Sequence, residues 1–281
     1  MNATNNREYR GYVKKRDKQK EAEMKRILVL SFAVMLLARV CSAAVLPAVN
    51  LAGVGTFGQG APGILDPTVS CAPTSVYDSF VYLESRYGPR VAGLLGVGAP
   101  DTINALAADM QLVPGIGCTG PNIVSGTIGY LESVGLINVI SVESQVGNNI
   151  VGASGQFLYD QLARGQGVEV GFTWNSGSGG HVVAVTGISN FDTGALTATL
   201  DFMDPWGALS PAGPGANALA LSGNLSFAGG LWTLSYSGGA AGAGAAGTLA
   251  LIEAESVPEP STVYLVIGAL LLLVWRRRVR T

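Results

Sequence analysis

The chain has 281 residues, 48% of them hydrophobic, with 17 Lys plus Arg against 19 Asp plus Glu, 39 glycines, three cysteines and one histidine. A charged fraction of 13% with this much apolar content excludes whole-chain disorder, and glycine without a three-residue period excludes collagen. The charge is partitioned: residues 1–43 hold ten basic side chains against four acids, the last six residues hold four arginines, and the body from Ala44 to Val257 holds three basic against fourteen acidic residues, a net −11 that gives nucleic acid no footing.

In chain order, residues 1–23 are polar and read as a non-native extension, with translation beginning at Met24. Residues 24–44 carry a charged start, an apolar run from Ile27 to Ala38 and small residues after it, the anatomy of a secretory signal cleaved after Ala43 or Ala44. Cys41 follows Ala38-Arg39-Val40, an approach too charged and bulky for a lipoprotein cysteine. Residues 45–65, rich in Gly, Ala and Pro, read as an extended lead-in. From Cys71 the period becomes helical, with Val76, Phe80, Leu83 and Tyr87 on one stripe and Gly88-Pro89 as the stop. Further helices are expected from Asp101, from Asn122 to Gly135 and from Ser154. The period then changes to that of strands over Val168–Trp174, His181–Ile188 and Ala195–Phe202, with two more around Leu231–Tyr236 and Thr248–Ala254. Helices first and strands later predict an α+β domain with an antiparallel sheet, and the Gly/Ala stretch 237–247 is expected to be a flexible loop in it.

The candidate chemistry lies in a few residues. Cys71 opens the first helix, where the helix dipole and free N–H groups favour the thiolate. His181 is the only histidine and begins a strand after SGSGG. Asp204, in Asp204-Pro205-Trp206-Gly207, ends the next strand, so antiparallel pairing of the two strands makes His181 and Asp204 neighbours. After signal removal two cysteines remain, Cys71 and Cys118, and in an oxidising envelope a disulfide between them is the structural alternative. No zinc set is present in one histidine and two separated cysteines. Asp192, Asp201 and Asp204 lack the spacing of a calcium loop, and GVGTFGQG (53–60) does not match a phosphate-binding loop, so no cofactor or metal is expected.

At Cys71-Ala72-Pro73-Thr74-Ser75, Gly180-His181-Val182-Val183 and Asp204-Pro205-Trp206-Gly207 the chain resembles the papain-like cysteine peptidases, especially the bacterial bacteriocin-processing, double-glycine leader peptidase type. The resemblance implies a papain-like fold over residues 66–256, with N-terminal helices packed on a C-terminal antiparallel β-sheet. It also implies Cys71 as nucleophile, His181 as general base, and Asp204, or Asp201 as second choice, as the orienting carboxylate. The substrate would be a peptide or protein. The chain departs from the family in two places: no glutamine stands about six residues before Cys71 (Gln59 is twelve away, and Asp66 occupies that neighbourhood), and Ala72 replaces the usual glycine. A lost oxyanion donor costs on the order of 100- to 1000-fold in rate, so a weak or inactive surface or matrix protein is the alternative reading.

Residues 257–281 contain a Pro-Glu-Pro triplet, a 13-residue apolar run from Val263 to Trp275 and a terminal arginine cluster, and they resemble the PEP-CTERM sorting signal. As a helix that run spans about 20 Å against a hydrocarbon core of about 30 Å. The resemblance implies a short transmembrane segment, processing by an exosortase-type enzyme and delivery to the envelope or surface of a Gram-negative bacterium. The arginines would stay on the cytoplasmic side.

Overall fold

The computed structural model describes residues 44–177, 179–207, 213–242 and 244–258. The expected N-terminal extension, all of the signal peptide but Ala44, and all of the sorting signal but Val257 and Pro258 lie outside them. Among the described residues no helix is long and apolar enough to cross a membrane.

Four helices follow the apolar stripes: α1 (Cys71–Tyr87), α2 (Ala99–Asp109), α3 (Gly120–Ser133) and α4 (Ser154–Ala163). In α1 the stripe of Val76, Phe80 and Leu83 is fully buried. The helix ends at Gly88, whose φ of 50° is open to glycine and costly for most other residues. Proline sits in the first turn of α2 and α3, where its missing N–H loses no helical bond, and the Thr119 hydroxyl accepts from the Asn122 N–H to cap α3.

Eight strands follow: β1 (Val49–Asn50), β2 (Ser141–Val146), β3 (Gly167–Trp174), β4 (Gly180–Asp192), β5 (Thr197–Asp204), β6 (Leu219–Ala228), β7 (Leu231–Tyr236) and β8 (Ala245–Ser256). β4 pairs with both β3 and β5, and the path β3-β8-β7-β6-β5 returns to β4, so six antiparallel strands close into a barrel. β1 adds to β4 and β2 to β8. This corrects the expected papain-like arrangement of N-terminal helices packed on a C-terminal antiparallel sheet. The reason lies in two features that periodicity does not reveal. β6, unassigned in the sequence, bridges β5 to β7. Register irregularities at Gly171/Phe172, Val185/Gly187 and Ser189/Asp192 bend the wall until its two edges meet. Closure also removes the unpaired edges that an open sheet would expose.

Two apolar cores result. One fills the barrel, with Val170, Phe202, Trp232 and Leu234 from the strands and Leu158 and Leu162 from α4. The other, with Phe80, Leu83, Ile103 and Leu131, lies between α1, α2, α3 and the outside of the wall and takes in Val182 and Leu251. β3 and β8 are therefore covered on both faces. Residues 45–65, expected as an extended lead-in, supply β1 and bury Gln59, Ala61 and Ile64.

Candidate active site

Cys71 is the first residue of α1. Its cap residue, Ser70, makes no side-chain bond to the helix; the Ser70 hydroxyl instead donates back to the carbonyls of Leu65 and Asp66 at 2.8 and 2.9 Å. The first-turn N–H groups thus keep their positive field beside the sulfur. Farther along α1 the Ser75 hydroxyl donates to the Val182 carbonyl at 3.0 Å, which ties the helix carrying Cys71 to the strand carrying His181.

β4 and β5 pair as the sequence geometry requires, and the His181 Nε2 lies 2.8 Å from Asp204 Oδ1. With Nε2 committed to the carboxylate, Nδ1 is the nitrogen left for the thiol, and Cys71 and His181 interact closely enough to shift each other's pKa. The imidazole is 4% exposed. It stacks on Trp174 at 6.2 Å between centroids and meets the edge of Phe172 at 5.9 Å, two residues of the adjoining strand β3. Gly180 precedes it because a Cβ there would come 2.6 Å from the Phe172 carbonyl oxygen.

Asp204 is fully buried, and its lone pairs are nevertheless filled. Oδ1 also accepts from the Trp206 N–H at 2.8 Å, and Oδ2 from the Ala240 N–H at 2.9 Å and the Tyr236 hydroxyl at 3.4 Å. Ala240 belongs to a single 3-10 turn, Gly239–Ala241, inside the Gly/Ala stretch expected to be a flexible loop. Gly239 has φ 50°, and a Cβ on it would overlap the carboxylate. The stretch therefore has a definite task, which is to bring backbone donors onto Asp204. Asp201 is not part of the site; it accepts from the Ser222 hydroxyl on β6. Asp192 accepts from the N–H groups of Gly194 and Ala195 in the β4–β5 turn.

These contacts set the charges. Burial alone would push the Cys71 thiol up, but the hydrogen bond and charge of His181 outweigh it and leave the thiol below its ordinary value. Burial disfavours the imidazolium, yet the charge and hydrogen bond of Asp204, joined by Cys71, raise His181 to about 10. Asp204 would be raised by burial and is held below the usual carboxylate range by His181 and the two backbone N–H groups. The arrangement shifts the pair toward thiolate and imidazolium.

Cys71 and His181 open into a cavity of about 520 Å³ whose walls include Trp174, Trp206, Ile116 and Ile123. Cys118 lines it as well. Both cysteines are free thiols, and Cys118 is pushed up to about 12 by burial and by the charges of Cys71 and Glu253, so it stays protonated and is no rival nucleophile.

Sequence spacing missed Gln59. It lines the same cavity, although twelve residues separate it from Cys71. Its backbone N–H donates to the Pro205 carbonyl at 2.8 Å, in the turn that follows Asp204, and its Nε2 donates to the Pro67 carbonyl at 2.6 Å, which holds the side-chain amide. One Nε2 hydrogen remains for a ligand. The flanking glycines were the available signal: Gly58 and Gly60 run against residues 214–217 so closely that neither position has room for a Cβ. Asp66, which the spacing put near the oxyanion, turns instead to the Thr68 hydroxyl and the Gly115 N–H, both at 2.7 Å, and does not line the cavity. Neither a protein-family model nor a curated protein matches this sequence.

Proposed function

We propose that the protein is an exported thiol peptidase that hydrolyses peptide bonds with Cys71, His181 and Asp204. The observation that carries the reading is the buried His181–Asp204 pair at 2.8 Å, whose imidazole shares a cavity wall with a thiol at a helix N-terminus. The Cys71 thiolate attacks the scissile carbonyl carbon, an S–C bond forms, and the carbonyl electron pair moves to oxygen. The Cys71 N–H and the free Nε2 hydrogen of Gln59 are the donors for that oxyanion. As the tetrahedral species collapses, the C–N bond breaks and His181 gives its proton to the leaving amine. Water then enters, His181 takes its proton, and the thioester is cleaved to a carboxylic acid with return of the thiol. Asp204 keeps the ring oriented and stabilises its charge throughout.

Gln59 in the cavity bears on one support for the reading as a catalytically weak surface or matrix protein, the missing glutamine. The cavity wall is largely apolar around the thiol, which suits a peptide with apolar side chains near the scissile bond. Export, passage through an exosortase-type processing enzyme and transient anchoring in the inner membrane belong to the same proposal and rest on residues 24–44 and 257–281. N-terminal sequencing of the exported product tests the export part, with a first residue at 44 or 45 expected. Turnover of a fluorogenic peptide library by the purified chain, with Cys71→Ala and His181→Ala beside it, tests the chemistry. Hydrolysis by the wild-type chain and none by either folded variant is expected; equal turnover by Cys71→Ala overturns it.

A further inference from the structure

Three glutamates that the peptidase chemistry does not use, Glu169 on β3 and Glu253 and Glu255 on β8, lie together beneath the helices. Alternation along the strands explains how they get there. Val168, Val170, Ile252 and Ala254 point into the barrel, so Glu169, Glu253 and Glu255 point out, toward α1 and α3. The register pairs Glu169 with Glu253 and Gly167 with Glu255, which brings the acids side by side. All three are fully buried, and one oxygen of each lies within 4.8 Å of one oxygen of each of the others.

Their surroundings point to a ligand. Among the described residues no hydrogen bond of good geometry reaches any of their six oxygens, although every one is shielded from solvent; the nearest polar groups are the carboxyls themselves and two hydroxyls. The hydroxyls of Ser79 on α1 and Thr127 on α3 face them. Gly167 keeps the space open, because a Cβ there would come 3.0 Å from both Glu255 Oε2 and Ser79 Cβ. Among the described residues no basic side chain is seen acting on the group: Arg86 donates to the Tyr82 hydroxyl, Arg90 to the Pro258 carbonyl, and no arginine is among the groups that shift the three acids. Unpaired buried carboxylates are costly, and three converging on one point are more so.

We propose that Glu169, Glu253 and Glu255, with the hydroxyls of Ser79 and Thr127, form a buried binding site for one hard divalent cation of the calcium class. Oxygens bound at 2.3–2.6 Å to a common Ca²⁺ stand no more than about 5 Å apart, which is the spread seen here. A donor set of oxygens alone, without histidine or thiol, suits calcium, magnesium or manganese rather than zinc. The cation ties α1 and α3 to the outside of the β3–β8 wall. Ser79 is two turns along the helix that begins at Cys71, so the cation also fixes the platform of the thiol. The site stands independently of the peptidase reading.

The test uses the full chain, purified without chelator. Elemental analysis is expected to find about one divalent cation per chain. After stripping with EDTA at about pH 7.5, adding Ca²⁺ to about a hundred times its dissociation constant should raise the thermal midpoint by roughly 5–10 °C. The rise should disappear in Glu253→Gln and Glu169→Gln and persist in Cys71→Ala, so failure of the site and failure of the peptidase are separable. Should the glutamine variants not fold, the stripped wild-type chain decides alone. A midpoint unmoved by Ca²⁺, Mg²⁺ and Mn²⁺, or a shift that persists in folded Glu253→Gln, overturns the proposal.

Discussion

Asp204 and the Glu169–Glu253–Glu255 group are buried to the same degree, yet the fold treats them in opposite ways. Asp204 receives the imidazole, two backbone N–H groups and a tyrosine hydroxyl, and it remains a carboxylate below its ordinary pKa. The glutamates receive no hydrogen bond of good geometry, and all three are raised, first by burial; Glu253 goes to about 7. Burial therefore does not decide the state of a carboxyl group here. The number of donors aimed at it does, and where donors are missing a proton or a cation must take their place.

The comparison can be broken most forcefully at the donor-rich end. Cys71→Ala and His181→Ala should each lower kcat/KM by at least about 10⁵-fold, because the nucleophile and its base act as one unit. Gln59→Ala should lower kcat by about 100- to 1000-fold and leave KM nearly unchanged, as expected for a donor that bonds the oxyanion more strongly than the ground-state carbonyl. A rise in KM alone would instead make Gln59 a substrate-binding group. Asp204→Asn should cost about 3–5 kcal/mol of stability at pH 7, measured by denaturant titration, since it leaves a buried imidazolium without its partner.

The pH dependence of that loss sharpens the point. His181 is raised in the folded state, so its contribution is full below the unfolded value of 6.5 and is lost as pH climbs through about 10. Asp204 is depressed, so its contribution is full above 3.8 and is lost as pH falls through its lower folded value. The difference between wild type and Asp204→Asn should be greatest between about pH 4 and 6.5 and should fade above about 10. A difference constant with pH would mean that the loss is one of packing. The smallest effect is expected from Gly239→Ala, whose Cβ meets the Asp204 carboxylate at a positive φ: about 1–3 kcal/mol, with a lower His181 pKa by NMR.

The helices and the Cys71–His181–Asp204 arrangement were the legible part of the sequence. The α1 stripe, the Gly88 stop and the antiparallel relation of His181 to Asp204 all follow from local periodicity, which one strand or helix carries by itself. Barrel closure was not legible, because it depends on β8 pairing with both β3 and β7, on three register irregularities and on β6, whose LALSGNLSFA alternates too weakly to announce itself. Gln59 was missed because a fixed spacing to Cys71 was assumed, whereas the chain between them loops out and Gln59 is held by the carbonyls of Pro67 and Pro205. Alternation in VEV of β3 and IEAES of β8 puts the glutamates on one face, the helices cover that face, and only the folded structure reveals the three acids as buried.

The pairing of Cys71 with His181 is tested most directly by the pH dependence of Cys71 alkylation with iodoacetamide, followed at the peptide level by mass spectrometry. The rate should titrate with a midpoint below the ordinary thiol value of 9.0, while Cys118 stays unlabelled near neutral pH, and His181→Ala should move the Cys71 midpoint upward. A Cys71 midpoint at or above 9, unchanged in folded His181→Ala, would contradict the thiolate–imidazolium pair and the peptidase built on it.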